Sequence, residues 1–404
     1  NKKKLLNYKK KNIKIGHLIY DTYLRQKYVV TLDFNDIELK NIFIRAEKIF
    51  NETYKYFSRN RVKAVIPSHL CYITYGIIVS IAAKKKIDII KINSSDRGTA
   101  RFRLHKINPK ILVDEPPYYN YSKIFNKLKP YQKKKSLNIG KNIIQKRISG
   151  KNDKTLPYMI TNQFSKKLLN YKMTKKIKNK EKIFIFPHCY LDNPHRYRNM
   201  IFPDFYDQVC FVLNKSLKLD QYEWYYKPHP NELKSTEDIH KKLLENYPKV
   251  IYLDSRVGHQ HIIAQKPKCI ITNHGTIAHE YSYFNIPVIN TGDNPHINYN
   301  FCLHVKNKKY LTKVILNLDK HLKQIKFNRK KIYEFMYMHY YYFHEMYNKE
   351  KYMPDYYFVN KMSKKFNNSK VKYEYLNSDK ILLKYMEHTN KVNYDIKNYM
   401  NLFL

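Results

Sequence analysis

The clearest structural pattern in the sequence is at residues 269–290, CIITNHGTIAHEYSYFNIPVIN. The apolar runs at 269–272 and 287–290 are typical of buried strands, and the apolar spacing between them favours a helix over 277–284. Strand, helix and strand at this spacing form a βαβ unit, in which the two strands run parallel. Gly275 allows the sharp backbone turn that must connect the first strand to the helix.

The same alternation extends outward from this stretch. Its other predicted strands are residues 182–186, 223–226 and 250–253, and its helices are 204–217 and 237–246. Five strands with intervening helices predict a doubly wound domain. Nearer the start, a strand at 12–19, a helix from 39 to 57 and a βαβ unit (62–67, 72–83 and 87–92) are predicted. The fold class is therefore α/β.

The length of 404 residues predicts more than one domain. The regular pattern breaks between residues 114 and 180 and gives way to Tyr- and Lys-rich helical sequence after about residue 310. We expect a Rossmann-like domain over 1–175, a second over 176–310, and a helical basic tail over 311–404. The tail either packs back on the first domain or is a poorly ordered appendage.

The charge is strongly positive, with 77 Lys and Arg against 33 Asp and Glu. A net charge of +44 attracts polyanions such as nucleic acid, anionic lipid headgroups or phosphorylated donors. The 40 tyrosines and the many Asn and Ile residues are typical of AT-rich codons, which also favour lysine. Codon drift alone therefore explains the excess of lysine as well as drift combined with a functional basic surface does. The lysines are diffuse and no recognised nucleic-acid motif is present, which argues against nucleic acid as the partner.

The five cysteines are scattered, without a C-x-x-C pair, which favours a reducing, cytoplasmic location. No run reaches the 18 to 20 apolar residues of a membrane span. A basic surface would still suit the inner face of the cell membrane. The chain begins at Asn1, so a removed targeting segment cannot be judged.

Polar and turn-forming segments that each contain a histidine follow three predicted strands of the second domain. Because open α/β sheets bind ligands at the carboxyl ends of their strands, these residues predict one ligand site. The helix start after Gly275 would bind a phosphate. Glu280, one turn further on, would accept hydrogen bonds from the hydroxyls of a ribose. Alternatively, each motif alone is an ordinary helix cap or turn. The predicted donor-side residues are Lys227, His229, Asn273, His274, Gly275, Thr276 and Glu280.

Together, Lys227-Pro228-His229-Pro230, NHGTIAHE (273–280) and FNIPVI (284–289) resemble the donor domain of bacterial capsule and surface-carbohydrate glycosyltransferases of the GT-B fold. Similar patterns occur in Kdo transferases, sialyltransferases with a His-Pro motif and teichoic-acid-type polymerases. The resemblance covers residues 182–292. It implies two Rossmann-like domains, a donor phosphate at His229, a ribose at Glu280 and an acceptor in the first domain.

An inverting transfer needs a general base near the acceptor hydroxyl. Asp21 is the first candidate, with His188 and Asp192 as rivals, and His17 and His69 are predicted on the acceptor side. Asp21 is also a residue type that caps helices, and Asp192 one that starts turns. The sequence offers only a weak metal-ligand pattern, so we expect neither a metal nor a cofactor besides the nucleotide-sugar substrate.

These patterns predict a cytoplasmic glycosyltransferase. It would move a sugar from a nucleotide-activated donor to a glycan or lipid-linked glycan acceptor of a surface polysaccharide, of capsule or lipopolysaccharide type. A non-hydrolysing sugar-nucleotide epimerase, which shares this architecture, is the alternative among enzymes. A basic nucleic-acid-binding protein is the alternative of another class.

Overall fold

Strands and helices alternate along most of the chain. A computed structural model describes residues 1–96, 99–113, 118–151, 162–165, 180–197, 199–232 and 234–342. The strands are β1 (Lys9–Lys10), β2 (Ile13–Lys14), β3 (Ala64–Val65), β4 (Asp88–Asp96), β5 (Thr99–Lys106), β6 (Glu181–Phe186), β7 (Tyr222–Tyr226), β8 (Val250–Tyr252), β9 (Cys269–Thr272), β10 (Val288–Asn290) and β11 (Leu303–His304). The helices are α1 (Lys2–Leu6), α2 (Gly16–Lys27), α3 (Ile37–Arg59), α4 (Ile77–Lys84), α5 (Tyr121–Asn126), α6 (Pro130–Ile148), α7 (Phe205–Ser216), α8 (Lys234–Glu245), α9 (His259–Ala264), α10 (Ile277–Tyr283), α11 (Lys308–Leu316), α12 (Leu318–Leu322) and α13 (Arg329–Tyr337).

Six strands of the second half form one parallel sheet in the order β11-β10-β9-β6-β7-β8. Numbered from β6 onward, this order reads 6-5-4-1-2-3, which is the doubly wound arrangement. The winding direction reverses between β6 and β9, so the crevice for a ligand is expected at their carboxyl ends. The predicted α/β class is confirmed, and the sheet has one strand more than predicted, the short β11.

Both faces of this sheet are buried, which explains why its strands are continuous apolar runs. Successive side chains of β6 point to opposite faces: Ile183 and Ile185 join one hydrophobic cluster, and Phe184 and Phe186 the other. Helices α7 and α11 cover the first face, and α6, α10 and α13 cover the second. Folding therefore removes the apolar side chains of each strand from water on both faces of the sheet. This burial is the main stabilising contribution in such a core.

The first half packs helices α2, α3 and α4 around its own apolar cluster. Its three-stranded sheet has the order β3-β4-β5, with β3 and β4 parallel and β4 and β5 antiparallel. The predicted βαβ unit is therefore confirmed. The strand predicted over residues 12–19 is wrong beyond Lys14, because helix α2 begins at Gly16. The buried residues Ile15, Leu18, Ile19 and Tyr23 have the three-and-four spacing of a helix face.

Several contacts join the first half of the chain to the second, and two of them lie in packed helical regions. Helix α13 packs across α6 at Gly140, where an added Cβ would lie 1.9 Å from the Tyr333 carbonyl oxygen. At the start of α7, fully buried Asp204 accepts hydrogen bonds from the Tyr20 hydroxyl (2.5 Å) and the Thr31 hydroxyl (2.6 Å). The predicted domain boundaries at 175 and 310 stay predictions.

The tail prediction falls mostly on residues 343–404, outside the described residues, as does the lysine-rich linker at 166–179. Over its described part, 311–342, the tail is helical and α13 contributes to the core of the sheet. None of the described helices combines the length and the apolar character that crossing a bilayer requires.

Candidate functional site

Three histidines meet at the carboxyl edge of the sheet. His188 follows the central strand β6, His229 follows β7 and His274 follows β9, and β6 lies between the other two strands. The ring centroid of His188 lies 4.4 Å from that of His274 and 5.5 Å from that of His229. The cluster sits where the winding of the sheet reverses. The structure thus brings together the strand ends that the sequence predicted.

Burial favours the neutral form of two of these histidines, His229 and His274. It lowers the pKa of His229 and of His274 well below the usual histidine value, and the neighbouring His188 lowers both further. In a neutral imidazole one nitrogen donates and the other accepts. Nδ1 of His229 accepts the backbone N–H of Asn231 (3.1 Å), so Nε2 carries the proton. His229 is thus a hydrogen-bond donor suited to phosphate oxygens.

Buried polar atoms without partners mark the end of β9. Asn273 is completely buried, and among the described residues neither atom of its side-chain amide has a hydrogen-bond partner. Nδ1 of His274 is in the same state. An unmet buried polar group costs about 1–3 kcal/mol, so such groups point to a ligand or to water. A binding crevice typically has such adjacent polar atoms, which form hydrogen bonds with the bound ligand.

The Gly275 turn is confirmed, whereas the capping bond of Thr276 is not found. Gly275 has a φ of +134°, a conformation that L side chains rarely adopt, and an added Cβ would meet nothing within 4 Å. Thr276 occupies the N-cap position of α10, but its side chain makes no capping hydrogen bond because its backbone is already helical, with φ −67°. Helix α10 has only 7 residues. The polar side chains at this strand end, rather than the dipole of so short a helix, are therefore the groups that mark the candidate site.

Lys227 directly follows β7 and is buried. Nζ donates to the Ser255 carbonyl oxygen (2.8 Å) and lies 3.4 Å from Oε1 of Gln163. Burial lowers the pKa of Lys227 to about 7, and the charge of nearby Asp254 raises it only in part. An anion beside this amine would favour its charged form, so Lys227 would respond to a phosphate.

Glu280 lies in a buried charged network that the sequence did not indicate. Its carboxylate is 3.7 Å from Nη1 of Arg147, on α6, and 3.8 Å from Nδ1 of His259, on α9. Arg147 also contacts Nε2 of His279 at 2.9 Å and lies over the ring of Tyr340. Glu280 thus has partners inside the protein, and a ribose role for it remains a prediction.

Asp21 lies inside α2, so it neither follows a strand nor caps a helix. The buried carboxylate faces His195, whose Nδ1 is 2.6 Å from Oδ1, and the His195 backbone N–H donates to Oδ2 (3.3 Å). Burial raises the pKa of Asp21, and the contact with His195 opposes this. Asp21 is thus paired with His195, and its role as the base of a transfer remains a prediction.

The other predicted catalytic and acceptor-side residues have mixed surroundings. Asp192 accepts the backbone N–H of Asn193 (2.9 Å), the turn-forming role that was its alternative. His17 lines the same cavity as Asp21 and His195, and burial lowers its pKa to about 3. His69 is exposed, with its ring 5.9 Å from that of Tyr75, and does not line that cavity.

Two more features of the site bear on metal and charge. Within the described part of the chain, no three His, Cys, Asp or Glu residues are grouped as metal ligands. Arg196 lies close enough to His274 for its charge to lower the pKa of that histidine. Arg196 and the buried Lys227 are therefore cations whose charges act on the histidine cluster.

Comparisons with known proteins found fold likenesses only. No protein-family model matches the chain, and no curated protein matches its sequence. Similar solved structures include KpsC of Thermosulfurimonas dismutans, a beta Kdo 2,4 transferase (11% identity, 68% of this chain and 78% of that chain, TM-score 0.41). Others are the UDP-GlcNAc 2-epimerase of Neisseria meningitidis bound to UDP-GlcNAc (12%, 76% and 81%, 0.30) and MnaA of S. aureus with UDP (14%, 78% and 79%, 0.32). At these TM-scores the likeness indicates no reaction for this chain.

Proposed function

We propose that this protein is a glycosyltransferase that takes its sugar from a nucleotide-activated donor held at the carboxyl ends of β6, β7 and β9. The observation that carries the proposal is the convergence of His188, His229 and His274 where the winding of the parallel sheet reverses. This is the place at which doubly wound sheets bind nucleotides. The unmet side-chain atoms of Asn273 and His274 supply donors and acceptors at the same place.

The chemistry of the cluster suits a phosphate leaving group. When the bond between the sugar and the phosphate breaks, negative charge develops on the phosphate oxygen, and preorganised N–H donors stabilise it. The imidazole N–H of His229 is one such donor, and Arg196 and Lys227 supply charge nearby. We propose that these groups stabilise the leaving group without a metal ion.

The wider assignment follows the sequence resemblance. We propose a glycan or lipid-linked glycan acceptor of the surface-polysaccharide type, and the basic surface of the chain for docking on the anionic inner face of the membrane. Co-sedimentation with vesicles tests the docking: binding to anionic vesicles in preference to neutral ones is expected, and equal binding to both would reject it.

A thermal-shift screen with UDP-, CMP-, GDP- and dTDP-sugars tests donor binding. A nucleotide sugar at about ten times its Kd should stabilise the fold by about 1.4 kcal/mol, a rise in Tm of about 3–6 °C for a cooperative unit of about 150–250 residues. His274→Gln should lose most of this shift, because the glutamine amide does not reproduce the imidazole contacts. His321→Gln, a histidine of α12 on the periphery, is the matched control and should keep it.

Three results would contradict the proposal. One is the absence of stabilisation by any nucleotide sugar at millimolar concentration. Another is conversion of the nucleotide sugar to an epimer with no acceptor added, which would identify an epimerase. The third is salt-sensitive RNA binding in preference to nucleotide sugars.

A further inference from the structure

A cavity of about 580 Å³ lies between α2, α4 and the segment that follows β6. This volume is within the range of small-molecule sites, which is about 300–1,000 Å³. His17 and Asp21 line it from α2, and His195 and Arg196 line it from the segment after β6. Elements from both halves of the chain thus enclose it, and it is separate from the crevice at the histidine cluster.

The charged residues around this cavity are mostly basic. Asp21 is the only acidic residue among the described residues that line it, and it is already in contact with His195. The basic residues of the lining are Lys14, Lys84, Lys86, Lys110 and Arg196. A cavity with five cations and one occupied carboxylate attracts anionic ligands and discriminates against neutral ones.

Two histidine nitrogens at this wall lack partners. Nε2 of His195 and Nδ1 of His17 are buried and have no hydrogen-bond partner among the described residues. The 2.6 Å contact with the Asp21 carboxylate assigns the donor role to Nδ1 of His195 and leaves Nε2 as the nitrogen that takes the acceptor role. A hydroxyl group of an occupant would satisfy that nitrogen.

Three consecutive residues connect the cavity to the histidine cluster. His195 and Arg196 line the cavity, and the next residue, Tyr197, sets its ring edge-on against that of His274 at 4.8 Å. A ligand in the cavity and a nucleotide at the cluster would therefore be neighbours.

We propose that this cavity is the acceptor site for an acidic sugar, one that carries a carboxylate or phosphate, and that His195, oriented by Asp21, accepts the proton of its attacking hydroxyl. This rests on the proposed transferase function. In the step, the acceptor O–H bond breaks and its proton goes to Nε2 of His195. The acceptor oxygen bonds to the anomeric carbon of the donor sugar, and the bond from that carbon to the phosphate breaks with its electron pair on the phosphate oxygen. His195 is the catalytic residue and Asp21 a positioning residue.

Ligand-observed NMR tests the substrate class with glucuronic acid, glucose 6-phosphate and glucose. Saturation transfer from the protein is expected to one or both acidic sugars and not to glucose. Comparing the two acidic sugars separates recognition of a carboxylate from recognition of a phosphate. A triple variant at the rim should weaken this binding about tenfold, and a triple variant on exposed helix faces elsewhere is its charge-matched control. The rim variant is Lys84→Gln, Lys86→Gln and Lys110→Gln, and the control is Lys134→Gln, Lys309→Gln and Lys320→Gln. Equal binding of glucose, or an equal loss in the control, would overturn the proposed class.

Turnover tests the proton acceptor. The nucleotide sugar that stabilises the wild-type protein is supplied with the acidic sugar that binds, and release of the nucleotide is measured. His195→Gln should keep the thermal stabilisation by the nucleotide sugar but lower the rate about 10²–10⁴-fold. Asp21→Asn should lower the rate and shift the pH at which it is half-maximal, which a merely structural role would not do.

The outcomes separate the two proposals. A His195→Gln rate within threefold of wild type would overturn the role of His195 while leaving donor binding intact. If no nucleotide sugar binds the wild-type protein, the proposed function itself fails, and the NMR experiment still decides whether the cavity takes acidic sugars.

Discussion

The ion pair between Arg147 and Glu280 connects α6 to α10, the helix that follows His274, and its removal gives a quantitative test of how this helix is held. The two side chains are 1% and 4% exposed, and Nη1 and Oε1 are 3.7 Å apart. At an effective dielectric constant of about 20, two unit charges at this distance attract by about 4 kcal/mol. Part of that attraction offsets the cost of removing both charges from water.

Removing one partner leaves the other charge buried. Arg147→Met should therefore lower the free energy of unfolding by about 3–5 kcal/mol, and Glu280→Gln by a similar amount. The double variant should lose less than the two single variants together, because no uncompensated charge remains. We expect a coupling energy of about 2–4 kcal/mol from the double-mutant cycle.

The chain carries its own probe for this measurement. Its single tryptophan, Trp224, lies buried in β7 of the same sheet. Guanidinium unfolding followed by tryptophan fluorescence therefore reports the stability of this domain, and comparable m-values across the four proteins would validate the comparison. Losses that add to within about 0.5 kcal/mol would refute the coupling and with it the description of Arg147 as the counter-ion of Glu280.

Three further predictions concern acid, protons and packing. Burial lowers the pKa of His17 to about 3 and that of His274 well below normal, so between pH 6.5 and 3 the unfolded chain binds protons that the folded chain does not. The free energy of unfolding should thus fall as the pH falls below about 6.5, by about 1 kcal/mol per pH unit per histidine; equal guanidinium midpoints at pH 5.5 and 7.5 would contradict this. If a nucleotide sugar binds beside Lys227, whose pKa is about 7, binding at pH 8 should take up protons, which calorimetry in two buffers of different ionisation enthalpy measures; the same apparent enthalpy in both would count against it. Gly140→Ala should destabilise the protein by about 1–3 kcal/mol, because the new Cβ would clash with the Tyr333 carbonyl oxygen and push α13 away from α6; an unchanged midpoint would show that the helices do not cross there.

The sheet and its strand-end residues were predictable because the signals are local. Strands β6, β7 and β9 are runs of apolar residues bounded by polar or turn-forming residues, and this pattern survives in a single sequence. Parallel strands also place their carboxyl ends at one edge, so the meeting of His188, His229 and His274 followed from the order of the elements.

The partners of the predicted residues were not predictable from spacing. Asp21 and His195 are 174 positions apart, and no local pattern reports that their side chains touch. Arg147 is one of 77 basic residues and has no distinguishing neighbours in the sequence, so only the fold reveals it as the residue paired with Glu280. His259 was missed because α9 is a single short helix between two strands.

The start of α2 was misread for a different reason. The run NIKIGHLI alternates apolar and polar residues over its first half, as a strand would, and only the later apolar positions have helical spacing. In the structure the strand is only two residues long, and the helix that carries Asp21 begins at Gly16.

Helix α13 has a practical consequence for anyone who shortens this protein. Ile332, Phe335 and Met336 are part of the apolar layer that covers one face of the six-stranded sheet, and the ring of Phe335 stacks on that of His339. A fragment that stops near residue 310, where the chain turns polar and tyrosine-rich, would expose that layer to water and aggregate. Expression of the sheet domain should therefore extend at least through residue 342.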